Sequence, residues 1–371
     1  MTTPLNAVRS DDPYPYYAAL TAKRPFAFDD EIDSWVAADA EAVQAAFNAS
    51  ELGVRASGDE VPAAITDTPA GEVFGQLVRM RDDEAAAELK TAITTVLTGV
   101  TPEAIAEATR RRAREALEDG IDYRALAFGV PVAAVGSLCG IPENDLRRAV
   151  ELTAAFVRCV PASAGTEDYA AANEAAARLQ PLLAAAAERD GLAARLVETV
   201  ATGHVPRRPA LANAVGLLSQ TYDATAGLVG NTLLGLGRHE RGEDLRAFVD
   251  EIARHDAPIQ NTRRFAHRPW THGGQSVAAG QKVLLLLAAA NRDPDVNPEP
   301  DVFDPARRHP VSFTFGSGRH GCPGRAVAIE IAVAIVAEAE AAGWTPRDLP
   351  GRNHYLPSPN ARIPVLEGGT S

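Results

Sequence analysis

Apolar positions recur every three to four residues through most of this chain, with short polar breaks between the runs. Asp12–Ala22, opened by Asp-Asp-Pro, reads as a first helix, and Asp39–Asn48 as a short second one. Val78–Leu97, Thr101–Gly120, Tyr123–Leu138, Glu143–Cys159, Tyr169–Arg189 and Leu192–Thr202 follow as helices, most of them rich in the strong helix former alanine. Ala210–Arg238 is a long apolar helix, Asp244–Arg254 a shorter one, and Ala326–Gly343 the last. Strand signals are few. Phe26–Ala37 alternates weakly and predicts a strand pair at a sheet edge, and His255–Gln275 runs extended with a hairpin turn at Gly273-Gly274. Val277–Leu287, turned at Gly280, leads into a helix at AAANRDPD, and the tail around His354–Pro357 ends in short strands. Glu51–Gly71, Pro161–Asp168 and Pro294–Pro310 read as loops. No repeat and no separating linker is visible, so a single domain over residues 1–371, mainly α with a minor β region, is expected.

Composition narrows the class. Hydrophobic residues make up 46% of the 371 positions, enough for a large core, and the net charge of −13 argues against generic nucleic-acid binding. The N-terminal stretch has no apolar run, and the longest such run, Val283–Ala290, is too short to span a bilayer. The expectation is a soluble cytoplasmic protein. Its three widely spaced cysteines fit neither a disulfide framework nor a zinc site, and Cys139 and Cys159 lie in apolar helical surroundings typical of inert core residues.

Cys322 is different. It sits in VSFTFGSGRHGCPGRAVAIE, a glycine-rich turn with a long apolar helix behind it. Glycines let the backbone close tightly and turn N–H groups towards a sulfur, and the following helix contributes the positive end of its dipole. Phe315, Gly316, Gly318, His320, Cys322 and Gly324 match every fixed position of F-G-x-G-x-H-x-C-x-G, so the stretch resembles the heme-binding loop of the cytochrome P450 family. The resemblance implies a cytochrome P450 fold with heme b between the helix at Ala210–Arg238 and the helix after Cys322. It makes Cys322 the axial iron ligand, with Phe315 shielding the sulfur and His320 reaching a propionate.

Further positions follow from the same resemblance. The family's D-P-P-x-H-x-x-x-R pattern, which holds a propionate, is altered here: Ala86 stands for the His and Lys90 for the Arg, leaving a point charge in place of a fork. Glu251 and Arg254 form E-x-x-R, neighbours on one helix face, and match the family's buried fold lock. The lock's usual third Arg is replaced by Val302, so Arg307 or Arg308 compensates, or the lock has two members. Pro258, Ile259, Gln260 and Asn261 align with residues lining the substrate pocket, and Arg264, or else Arg263, with a propionate-binding Arg. The loop at Glu51–Gly71 is the expected region of substrate contact.

The distal helix departs most. Its centre, Q-T-Y-D-A-T, aligns with the family's [AG]-G-x-[DE]-T-[TS], which guides protons. Asp223 keeps the acid, Ala224 replaces the usual Thr, Thr225 follows, and Gln220 and Thr221 replace two small residues. Gln220 and Ala224 are four apart and share a face, so the Gln220 amide is a candidate for positioning a water where a hydroxyl was lost. A buried Asp223 needs partners to offset its desolvation. The implied activity is oxidation of a small organic molecule, carrying its own polar group, in specialised metabolism, with electrons from a ferredoxin or flavodoxin and its reductase. Peroxide-driven oxidation, ring formation or coupling is the second enzyme reading, and a non-catalytic heme-binding protein the third. No nucleic-acid or membrane partner is expected.

Overall fold

Helix α10 (Arg207–Leu236) runs through the middle of the molecule, about 45 Å long at the α-helical rise. The computed structural model describes residues 2–344 and 354–365, apart from 60, 119–122, 162, 202 and 204. The expected helix ends at Gly120 and Thr202 lie outside the described residues. Before α10 come α1 (Tyr14–Lys23), α2 (Ala40–Asn48), α3 (Pro69–Phe74), α4 (Glu84–Thr98), α5 (Pro102–Glu118), α6 (Val130–Leu138), α7 (Glu143–Phe156), α8 (Thr166–Ala186) and α9 (Leu192–Ala201). After it come α11 (Leu245–His255), the short α12 (Leu287–Ala290) and α13 (Arg325–Ala341). The chain is therefore mainly helical, as its periodicity predicts. α10 touches α3, α6, α7, α8, α9, α11 and α13, which explains why it is apolar nearly all round.

The β region lies to one side. Strands β1 (Phe26–Asp29), β2 (Ser34–Ala37), β3 (Leu52–Gly53), β4 (Thr262–Ala266) and β7 (Lys282–Leu285) form a sheet in the order β1-β2-β7-β4-β3. β2 and β7 pair parallel, with Val36 opposite Leu284, and the other pairings are antiparallel. β5 (Trp270–His272) and β6 (Gln275–Val277) form the expected hairpin. Gly273 and Gly274, both at positive φ (55° and 75°), supply the two-residue turn. β8 (His354–Tyr355) pairs with β9 (Pro364–Val365). Two hydrophobic clusters match this division. A large one fills the helical part, and a second, containing Phe26, Trp35, Phe47, Trp270 and Phe313, backs the sheet.

Glu51–Gly71, expected as a loop, holds β3 and the start of α3. Val78–Leu97 is not one helix: Val78–Met80 forms a 3-10 turn, and α4 begins only at Glu84. The cause is local. The Asp83 side chain accepts the Ala86 N–H at 3.0 Å and caps α4, while Arg81 holds Asp83 at 2.7 Å. Two consecutive aspartates are thus a start signal inside what reads as a continuous apolar pattern.

Candidate active site

The cysteine loop is held from below by two buried asparagines. Asn291 donates to Thr314 Oγ1 (2.8 Å) and accepts from Phe313 N (2.6 Å). Asn297 donates to Val311 O (2.8 Å) and accepts Val311 N (3.0 Å). Thr314 Oγ1 also donates to Ala253 O at 2.5 Å, tying the loop to α11. Gly316 and Gly318 take φ values of 69° and 61°, which a side chain would strain, and Cys322 N then donates to Phe315 O at 2.7 Å. The loop closes over the N-terminus of α13, and Gly324 N–H bonds the Cys322 sulfur.

Cys322 carries accessible surface, yet protein surrounds it closely enough that burial pushes its thiol up, with the Gly324 N–H and Lys90 opposing. Asp223 on α10 shows the same combination: it has accessible surface, and burial raises its carboxyl while Arg79 pulls the other way. Accessible groups that are nonetheless enclosed line a concavity.

A cluster of cations stands beside Cys322. Lys90 Nζ donates to Arg319 O; burial pulls the ammonium down, with the Cys322 sulfur acting against this. Arg264 is buried on β4 over the Phe47 ring at 5.1 Å, and burial brings its guanidinium down to about 10. Its hydrogen bond among the described residues is to the adjacent Arg263 O (2.8 Å). Arg263, by contrast, is exposed. His320 Nε2 pairs with Asp82 Oδ1 at 2.8 Å. Burial works against the Asp82 carboxylate, but this bond, the Val54 N–H and Arg319 hold it below the ordinary range. A porphyrin needs an axial donor and cations for its propionates. An incompletely paired buried guanidinium, an ammonium and an enclosed sulfur fit that set.

The distal positions separate. Gln220, Asp223 and Ala224 have accessible surface, whereas Thr225 is 2% exposed and packed in the core, so it does not stand in for the lost hydroxyl. Gln220 Nε2 donates to its own helix at Gly216 O (2.9 Å), leaving Oε1 without a partner among the described residues. Of the four positions expected to line the pocket, Gln260 and Asn261 are buried and donate to Ala257 O (2.6 Å) and Pro359 O (2.8 Å). The Asn261 amide braces the tail, and the Gln260 amide bonds its own segment. Pro258 packs near α10, where a Cβ on Gly227 would lie 3.0 Å from its own Cβ, and Ile259 is half-buried.

The E-x-x-R pair is buried as expected, with bonds of 2.8 and 2.6 Å between Arg254 and Glu251. Arg307 supplies the third member, its Nε 3.7 Å from Glu251 Oε1, while Arg308 is exposed. Arg254 also donates to the carbonyls of Asn291, Pro300 and Val302. Sequence reasoning missed Arg79, Asp82, Asn213 and Asn297. Asp82 meets His320 across 238 residues, and no local pattern marks such a pair.

Residues 244–337 match the family model described as Cytochrome P450. The chain is 30% identical over 288 residues to cytochrome P450 126 of Mycobacterium tuberculosis, covering 68% of this chain and 67% of that protein. It is 28% identical over 225 residues to the biotin biosynthesis cytochrome P450 of Bacillus subtilis, covering 56% of this chain and 57% of the relative's length. The solved structure of epothilone B-bound cytochrome P450epoK superposes with a TM-score of 0.85 at 21% identity, covering 99% of this chain and 98% of that one. Among the described residues no helix is long and apolar enough to cross a membrane.

Proposed function

Because the chain belongs to the cytochrome P450 family, we propose that it is a heme-thiolate monooxygenase that oxidises a small organic molecule in specialised metabolism. In this reading residues 1–371 act as one domain in the cytoplasm, fed by a ferredoxin or flavodoxin and its reductase. The observation that carries it is the enclosed Cys322 sulfur at the N-terminus of α13, beside Lys90 and Arg264. Cys322 would hold the iron of heme b; Lys90 and Arg264 would hold the propionates, with His320 fixed beside them by Asp82; Phe315 would cover the sulfur side, and Gly316 and Gly324 shape the turn. When bound, the heme supplies oxygen activation for insertion of one oxygen atom into the substrate.

The protein residues do the rest. Metal binding deprotonates a thiol even where burial raises it, so the sulfur serves as thiolate. Asp223, its carboxyl raised by burial, can hold a proton at Oδ and release it into the cleft. Gln220 Oε1 accepts from a water at the face where Ala224 offers no hydroxyl. A substrate hydroxyl completes the path. Asp223→Asn is expected to lower turnover about 100-fold and to flatten its pH dependence. It also removes a stability term of known sign. Asp223 binds its proton more tightly folded than unfolded, so stability falls as pH rises from the ordinary carboxylate range through the raised value. The variant loses that slope in thermal melts across pH; an unchanged slope and unchanged turnover defeat the assignment.

The test of the whole reading is the spectrum of the reduced, carbon monoxide-bound protein, followed by product analysis under isotopically labelled dioxygen. A thiolate-type band and label in the product are expected. Absence of porphyrin overturns the reading. The missing hydroxyl at Ala224 favours one alternative, peroxide-driven oxidation or oxidative coupling, recognised by turnover with hydrogen peroxide and no reductase.

A further inference from the structure

Arg79 is the group the reaction scheme leaves without a task. It lies in the 3-10 turn at Val78–Met80, and that turn is fixed to α10. Asn213 accepts the Val78 N–H at 3.1 Å and donates to Gln76 O (2.7 Å) and Pro209 O (2.9 Å). Leu77 is buried against the same helix, where a Cβ on Gly216 would come within 2.8 Å of it. The guanidinium is therefore carried on a braced support, one side of which is the helix that bears Asp223.

Its own pairing is incomplete. Arg79 Nε is buried with no hydrogen-bond partner. No carboxylate oxygen comes within 4.0 Å of its nitrogens among the described residues, although Asp223 is near enough to attract it. Burial pulls the guanidinium down, and Arg55 adds a second positive charge from the loop before α3. Cys159, at the end of the turn following α7, also acts on it. Native proteins rarely keep a buried donor unpaired, and an enclosed guanidinium without a bonded carboxylate calls for an anion.

That anion is not a heme propionate. The groups acting on Arg264, Lys90 and His320 are Asp82, Arg319, Cys322 and one another. The groups acting on Arg79 are Asp223, Cys159 and Arg55. The two cationic sets are separate, and the second lies beside α10, the helix that carries Asp223.

We propose that Arg79 recognises a carboxylate on the substrate, making this a monooxygenase of organic acids; the inference rests on the reading of the cleft as a heme-thiolate chamber. The planar fork of Arg suits bidentate capture of a carboxylate. Arg55 is paired with Asp59 at 3.4 Å, which leaves Arg79 as the cation of this set, and an ionised Asp223 repels a carboxylate, so the acid is directed to Arg79. The body of the molecule then extends past Asp223, and one end of the substrate is fixed while the other reacts.

The test is calorimetric titration of the holoprotein with straight-chain and aryl carboxylic acids, each beside its methyl ester. At least one acid is expected to bind about tenfold or more tightly than its ester, a gap of ~1.4 kcal/mol. Arg79→Gln abolishes that gap without weakening the ester, and Arg79→Lys, which keeps the charge without the fork, retains part of it. Failure of every acid to exceed its ester, or survival of the preference in Arg79→Gln, overturns the proposal. The reduced carbon monoxide spectrum is read on the same samples. A thiolate band with no acid preference counts against Arg79 alone, whereas a missing band in the parent protein counts against the chamber itself.

Discussion

Arg254→Ala is expected to destabilise the protein by about 3–5 kcal/mol, because it leaves the Glu251 carboxylate buried and unpaired. Arg254 is fully buried and Glu251 only 3% exposed. Arg254 grips Glu251 through two nitrogens and reaches three carbonyls of the segment leading to the cysteine loop. Glu251 Oε1 in turn accepts the Asp304 N–H at 3.0 Å, and Arg307 stands 3.7 Å away. Loss of one member therefore frees both the α11 side and the loop side. Against a total stability of about 5–15 kcal/mol this is a large fraction, and the yield of folded protein should fall with it. Arg254→Lys keeps the charge but not the fork and is expected to recover only part of the loss. A control sits on the surface: Arg147 and Glu151 pair at 3.2 Å but are largely exposed, so Arg147→Ala should cost under about 1 kcal/mol. Chemical denaturation of the three variants checks the ordering. Equal costs for Arg254→Ala and Arg147→Ala would show that burial does not set the strength of the lock.

Cys322→Ala is expected to abolish the thiolate band and to cut turnover by more than the 10–100-fold that loss of a supporting outer partner costs. The fold should persist, since the turn is held by groups other than the sulfur. Cys322 N still donates to Phe315 O, and Asn291, Asn297 and Thr314 still brace the loop. Thermal melts of the apoprotein should accordingly stay close to those of the parent. A variant that retains the parent spectrum and turnover would remove Cys322 from the chemistry.

What the sequence made legible was whatever depends on near neighbours. The cysteine loop, the long helix at α10, the Glu251–Arg254 pair and the glycine hairpin each rest on spacings of a few residues, and the structure has them where the spacing puts them. The gaps have a common cause. Arg307 joins Glu251 from 56 positions away, Asp82 joins His320 from 238, and Asn213 holds Val78 from 135; no period encodes such meetings. Arg79 was hidden differently. Reading Val78–Leu97 as one helix placed it on an ordinary helical face, and only the Asp83 cap shows that it belongs to a separate turn. Gln220 was read correctly as sharing a face with Ala224, but its amide nitrogen is taken by the Gly216 carbonyl, a competition that polar side chains in helices commonly enter.

The parallel seam between Val36 and Leu284 has a consequence for how the molecule is made. On the ribosome β2 emerges about 250 residues before its partner, a wait of roughly 12–50 s at ordinary elongation rates. Through that interval Trp35 and Val36 belong to a hairpin whose inner edge has nothing to pair with. The sheet is thus among the last parts to close, and that edge stays open to other strands until β7 arrives.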